Sequence, residues 1–128
     1  MNKVGKVIKT GGLNVWPHEQ LMADILAAAG HVVEFLPAAD KEKDYTPDLL
    51  LDGERWEFKS PASAKMNAVE RCLKRGTKQS DKVVLSSHRM KRVPDKAIER
   101  EITVKLRANK KLTAVKFINR HREIIDIS

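Results

Sequence analysis

A single cysteine, Cys72, stands in the 128 residues. No disulfide can form within the chain, which excludes a small secreted disulfide scaffold. A Cys-built zinc site is excluded for the same reason. Aromatic residues make up only 5%. Recognition of single-stranded nucleic acid by a row of stacking rings is therefore disfavoured, and Trp16 and Tyr45 are the expected exposed rings. Apolar runs are a few residues long where a spanning helix needs about 20, so no transmembrane segment is expected. The start, Met1-Asn2-Lys3-Val4-Gly5-Lys6, lacks the apolar core of a signal peptide. There is no Gly-rich phosphate loop and no Gly-x-Ser-x-Gly nucleophile elbow, so a Ser/His/Asp triad exists only on paper. His18, His31, His88 and His121 are scattered, none with a partner at zinc spacing.

What is present is enough apolar material for a core, 41%, beside 33% charged residues. The length fits one domain over residues 1–128. The charge is unevenly spread. Lys and Arg number 25 against 17 Asp and Glu, a net of +8. Met1 to Ala64 holds 7 basic and 10 acidic residues, and Lys65 to Ser128 holds 18 and 7. An acidic half beside a strongly basic half suggests a carboxylate site and a surface for a polyanion.

Residues 1–13, polar and ending near Gly11-Gly12, read as a flexible lead-in. A helix should start near Pro17 and stop at Gly30, with Met22, Ala23 and Leu26 in its apolar stripe. His31 to Leu36 is β-rich, and Ala38 to Thr46 reads as a loop. Asp48 to Leu51 and Arg55 to Lys59 flank Asp52-Gly53, a strong hairpin signal. Ser60-Pro61 reads as the start of a helix running through Met66, Val69 and Leu73 to Gly76. Lys82 to Ser86 is a central strand. Pro94 opens a helix with Ile98, Ile102 and Leu106 on one side. Thr113 to Ile118 and Glu123 to Ile127 form a closing pair of strands. The order α-β-β-β-α-β-α-β-β predicts an α/β (α+β) fold, a mixed central sheet flanked by helices.

The chemistry concentrates in the stretch from Pro47-Asp48 to Glu57-Phe58-Lys59. Residues two apart on a strand share a face, so Glu57 and Lys59 point together, and Trp56 and Phe58 point to the opposite face, toward a core. Pairing across Asp52-Gly53 brings Asp48 near the Glu57 end of the hairpin. Close carboxylates repel unless a cation lies between them. Hard oxygen ligands suit magnesium or manganese, which can polarise a phosphoryl oxygen. Lys59 would orient water or neutralise charge at phosphorus. A solvated hairpin with a cross-strand ion pair is the other reading. Glu19 heads the apolar stripe of its helix. Either it reaches a metal or water at the sheet edge, or it lies in an exposed first turn favoured by the helix dipole. His18 beside it is either a general base or a surface residue.

These residues resemble the PD-(D/E)xK nuclease superfamily, with its restriction-endonuclease-like fold. The pattern maps to Glu19 on the first helix, Asp48 on the next hairpin's first strand, and Glu57-Phe58-Lys59 on its second. The order of elements agrees from about Pro17 to Ser87. The runs Gly30 to Pro37 and Pro47 to Pro61, with Gln79 before a Val-rich strand, are similar to the C-terminal tRNase toxin domains of CdiA contact-dependent growth-inhibition proteins. That resemblance implies metal-dependent cleavage of tRNA, with Asp48, Glu57 and Glu19 as ligands to Mg2+ or Mn2+. It implies Lys59 as a catalytic residue and Gln79 positioning water or phosphate, although Gln79 also reads as an exposed turn residue. It further implies a cognate immunity protein as partner, and a cytoplasmic site of action reached as part of a secreted toxin.

Lys74, Arg75, Lys78, Arg89, Lys91 and Arg92 flank the crossover helix and the following strand and are the candidate phosphate contacts. Lys110-Lys111, Arg120 and Arg122 form a second group near the closing strands. The expected function is a metal-dependent nuclease, with tRNA favoured over DNA. A DNA endonuclease on the same site and a non-catalytic nucleic-acid-binding module are the alternatives.

Overall fold

A computed structural model of the chain describes residues 5–9, 15–36 and 48–128, with Asp48 described by its backbone alone. The predicted loop from Ala38 to Thr46, Gly11-Gly12 and Tyr45 lie outside the described residues. The architecture is mixed α+β, as predicted, and among the described residues the strands form two four-stranded mixed sheets where one central sheet was expected. Contacts divide the chain into two compact units, Met1–Trp56 and Glu57–Ser128. No helix among the described residues is long and apolar enough to cross a membrane.

The first unit opens with β1 (Lys6–Lys9), where a flexible lead-in was expected. It pairs in parallel with β2 (Val32–Leu36) across α1 (Pro17–Ala28). The Gly5 N–H donates to the Ala27 carbonyl at 2.7 Å, and the approach is so close that a Cβ at Gly5 would lie 1.8 Å from the His31 carbonyl oxygen. No other residue fits there. β1 forms by pairing with a strand more than twenty residues away, which a four-residue sequence pattern does not reveal. α1 starts at Pro17 as predicted and ends in a Schellman motif, with the Gly30 N–H on Ala27 and the His31 N–H on Leu26, each at 3.0 Å. It packs on β1 and β2 and buries Met22, Ala23, Leu26 and Ala27.

β3 (Asp48–Leu51) runs antiparallel to β2, setting Leu51 beside Val33 and Leu49 beside Phe35, all four buried. The predicted hairpin to β4 (Glu54–Arg55) is present, with Leu51 opposite Glu54. Asp52 and Gly53 take φ of 51° and 85°, the two positive values of a type I′ turn. Asp52 also ties this tip to β2. Its Oδ1 accepts the Val32 N–H at 2.8 Å, and its Oδ2 lies 2.6 Å from His31 Nδ1. The predicted strand from Arg55 to Lys59 is interrupted at Trp56, whose N–H donates to Leu49 while the next residues join the other sheet.

The second unit orders its sheet β5 (Glu57–Lys59), β6 (Lys82–Ser86), β7 (Ala114–Ile118), β8 (Ile124–Ile127). The first three are mutually parallel and β8 closes as an antiparallel hairpin. α2 (Asn67–Gly76) lies against β5, β6 and α3 (Asp95–Ala108), and α3 lies against β7. Val69, Leu73, Ile98 and Ile102, predicted as the inner stripes, join Val83, Leu85, Val115 and Phe117 in one buried cluster. α2 begins at Asn67 and not at Ser60-Pro61 as expected. Ser63 Oγ there accepts the Lys65 N–H at 3.0 Å, a local turn that competes with helix.

Candidate functional site

Glu19 is the third residue of α1 and is only 8% exposed. Its Oε1 accepts the Trp16 backbone N–H at 3.1 Å, the carboxylate half of a capping box. Trp16 offers no side-chain acceptor, so the other half is missing. Burial pushes the Glu19 carboxyl above the usual carboxylate range, and the Trp16 hydrogen bond partly opposes that. The expected exposed first turn is therefore corrected. The residue lies in the first turn, but buried, so the dipole alone does not account for it. His18 stacks on the Trp16 ring with centroids 6.3 Å apart, and Trp16 itself is 55% exposed as expected.

Asp48 opens β3 opposite Leu36. Glu19 and Asp48 both belong to the first unit, on elements that border β2. Glu57, Lys59 and Gln79 belong to the second unit. Among the described residues no group of three His, Cys, Asp or Glu side chains gathers at metal-binding distance.

Glu57 and Lys59 do share a face of β5, as alternation requires. Trp56 is buried and Phe58 pairs with the fully buried Val84, so the opposite face also meets a core, as expected. Glu57 pairs with Val83 and Lys59 with Leu85, both in the buried cluster, whereas Phe58 pairs with Val84 on the other side. The acid and the lysine thus line the rim of the core on an end strand, each half-buried, and face α2. On α2, Cys72 packs half-buried against the cluster. Burial pushes its thiol up, while the charges of Lys59, Arg75 and Arg71 pull it down. The charges of Lys59, Arg75 and Arg71 thus all reach the Cys72 thiol. Arg71 was not singled out from the sequence, although it stands four residues before Arg75 on the same helix face. Gln79 is exposed on the turn after α2, its backbone N–H bonded to the Gly76 carbonyl at 2.9 Å.

The candidate phosphate contacts separate into three places, Arg75 standing with Arg71 near Cys72. Arg89, Lys91 and Arg92 are exposed in the connection from β6 to α3. Lys74 and Lys78 line a cleft of about 650 Å³ between the C-terminal ends of α2 and α3, joined there by Lys105, Lys110 and Lys111. Lys74 and Lys105 pair with Glu70 at 3.3 and 3.5 Å. The Lys74 hydrogen bond, then the charge of Lys105, hold the Glu70 carboxyl below its ordinary range. Lys105 was missed in the sequence, although Glu101 four residues before it was the available signal.

The expected second basic group does not hold together. Arg120 turns inward, its guanidinium bonding the Met90 and Val93 carbonyls. Its backbone N–H donates to Asp95 Oδ2 at 3.0 Å, and Ser87 Oγ donates to Asp95 Oδ1 at 2.6 Å. Ser87 is fully buried and bonds the carboxylate directly, with no histidine between, so this is a structural tie and not a nucleophilic triad.

Comparison with known proteins gives the following. The family model described as contact-dependent growth inhibition CdiA C-terminal domain matches residues 44–124. Among solved structures the chain is similar to a CdiA-CT/CdiI toxin and immunity complex from Burkholderia pseudomallei. The TM-score is 0.70 and the identity 18%, over 96% of this chain and 99% of that one. No curated protein matches. With more than half its length matched to the family model, the chain belongs to the contact-dependent growth inhibition CdiA C-terminal domain family.

Proposed function

We propose that this domain is a metal-dependent nuclease of PD-(D/E)xK type acting as a toxin, with tRNA favoured over DNA. The observation that carries the reading is Glu57 and Lys59 set together on one face of β5, beside Arg71 and Arg75 of α2. A carboxylate and a lysine two residues apart, backed by guanidinium groups, suit a phosphodiester. Asp48, Glu57 and Glu19 are proposed as the metal's ligands because carboxylate oxygens are hard donors that suit Mg2+ or Mn2+, which when bound would polarise a phosphoryl oxygen. Glu19 comes to this role with one oxygen engaged at Trp16 and a carboxyl that burial makes harder to ionise, and a bound cation would favour its charged form. Lys59 balances charge that builds on the phosphoryl oxygens, and Gln79 positions water or phosphate. Lys74, Arg75, Lys78, Arg89, Lys91 and Arg92 hold the backbone.

Family membership and the likeness to a toxin and immunity complex support toxin action and a cognate immunity protein as partner. They also support delivery as part of a secreted toxin, with action in the cytoplasm. The test is cleavage of purified tRNA and of plasmid DNA with magnesium, comparing wild type with Asp48→Ala and Glu57→Gln. Both variants should bind tRNA nearly as wild type and cleave neither substrate. Near-normal turnover by Glu57→Gln would remove Glu57 from the site. A wild type that cleaves DNA alone would point to a DNA endonuclease, and one that binds but cleaves nothing would point to a non-catalytic module.

A further inference from the structure

The cleft between the ends of α2 and α3 holds five lysines against Glu70 as its one acid among the described residues. Two of these lysines are accounted for locally. Lys74 and Lys105 lie in the last turns of their helices, where cations complement the helix dipole, and both pair with Glu70. The other three are not. Lys78 lies just beyond Gly76, and Lys110 and Lys111 just beyond Ala108, outside the helices and away from Glu70's two ion pairs. All three are exposed and make no ion pair among the described residues. Three unneutralised ammonium groups around one concavity repel one another, and nothing in the packing of the helices requires them there.

The lining also says what could relieve that repulsion. Its apolar part comes from Leu73 and Ala108, and no aromatic side chain lines the cleft among the described residues. Bases cannot stack there, and a protein partner would find no aromatic anchor. Lysines are flexible point charges that neutralise phosphates without reading sequence. We propose that this cleft is a clamp for the phosphodiester backbone of a base-paired nucleic-acid segment, gripped mainly by Lys78, Lys110 and Lys111. On α2 the cations run from Lys74 on the cleft side to Arg71 and Arg75, whose charges reach Cys72 with that of Lys59, so the clamp adjoins the proposed phosphate contacts. It rests on the nuclease reading only for the choice of nucleic acid as ligand.

The test compares two variants of equal charge. One is Lys78→Gln with Lys110→Gln and Lys111→Gln. The other, a control, is Lys6→Gln with Lys9→Gln and Lys96→Gln, all exposed and outside the cleft. Affinity for an RNA stem-loop and for a DNA duplex is measured in chelator over a range of salt. The cleft variant should bind the preferred probe roughly tenfold or more weakly near 0.1 M salt, with the logarithmic salt slope shallower by about 2 to 3. The control should change little. The tighter probe identifies the source of the backbone. Equal losses in the two variants would reduce the effect to net charge and overturn the proposal. So would unchanged nucleic-acid binding, including the case where the cleft variant instead loses affinity for polyglutamate, which would make the cleft a site for an acidic protein. If the triple variant does not fold, Lys78→Gln alone carries the same comparison against Lys6→Gln. Binding in chelator needs no cleavage, so failure of the nuclease reading is separately visible as bound RNA left intact when magnesium is added.

Discussion

The charges of Lys59 on β5 and of Arg71 and Arg75 on α2 all act on the Cys72 thiol, and Lys59 shares its strand face with Glu57. A charge-balancing lysine predicts a specific variant effect. Lys59→Met keeps the aliphatic stem that lies along the rim of the core and removes the charge. Turnover of tRNA should fall by about 10²-fold or more, the scale of losing one electrostatic donor, with the KM changed much less. A rise in KM at unchanged kcat would make Lys59 a phosphate anchor instead. The identity of Glu57 and Lys59 as a pair was legible from the spacing. Their face was not, because alternation says only that they point together. The side was decided by pairing with Val83 and Leu85. Glu19 teaches the same lesson, since its place at the head of the stripe was visible and its burial was not.

Elements were most legible where their signals are local. Pro17 starts α1, Asp52-Gly53 turns the hairpin, and Lys82 to Ser86 is the central strand. Where an element depends on a distant partner, the sequence misleads, as at β1 and at the break at Trp56. The join between β6 and β7 is one such long-range tie. The Asp81 carbonyl accepts the Thr113 N–H at 2.8 Å, and Asp81 Oδ2 accepts the Thr113 hydroxyl at 2.8 Å. That hydroxyl, followed by Lys82, holds the Asp81 carboxyl below its ordinary range. The sign of the linkage follows. A depressed acid contributes stability above its unfolded value, and that stability is lost as pH falls through its folded value. Thr113→Val should therefore lower the melting temperature slightly at neutral pH, on the scale of about 1 kcal/mol or less for one exposed hydrogen bond. The gap from wild type should shrink as pH falls below about 4, the ordinary range for Asp. A gap constant down to acid pH would assign the loss to packing of the threonine and not to the carboxylate.

On the scale of the whole molecule, charge follows the division into units. Met1–Trp56 carries six basic residues against nine acidic, and Glu57–Ser128 carries nineteen against eight. The excess of basic residues thus belongs to the second unit, where five lysines gather between two helices. The proposed metal makes a prediction at this scale too. An ion bound only by folded protein raises stability by mass action, about 2.7 kcal/mol at a hundredfold excess over its dissociation constant. That is several degrees in melting temperature for a chain of this size. Thermal melts with and without millimolar magnesium should show the rise in wild type and a smaller one in Asp48→Ala. If neither magnesium alone nor magnesium with a non-cleavable tRNA analogue shifts the melt, the metal is not a ligand of this chain.

By itself the sequence determined what can be set within a few neighbouring residues. That includes the start of α1 and the stops of α1 and α2, the type I′ turn, the acid and lysine two apart, and the split of charge along the chain. Capping, turn chemistry and alternation act over one to four positions, so they are written in order along the chain. Tertiary structure alone decided which residues meet. It paired β1 with β2 and buried Glu19. It turned Glu57 and Lys59 toward the core rim, drew Arg120 inward to Met90 and Val93, and brought Lys110 and Lys111 to Lys78 across two helices. Each of these joins residues far apart in sequence. Their encounter is set by the pairing and packing of whole elements, about which no local propensity carries information.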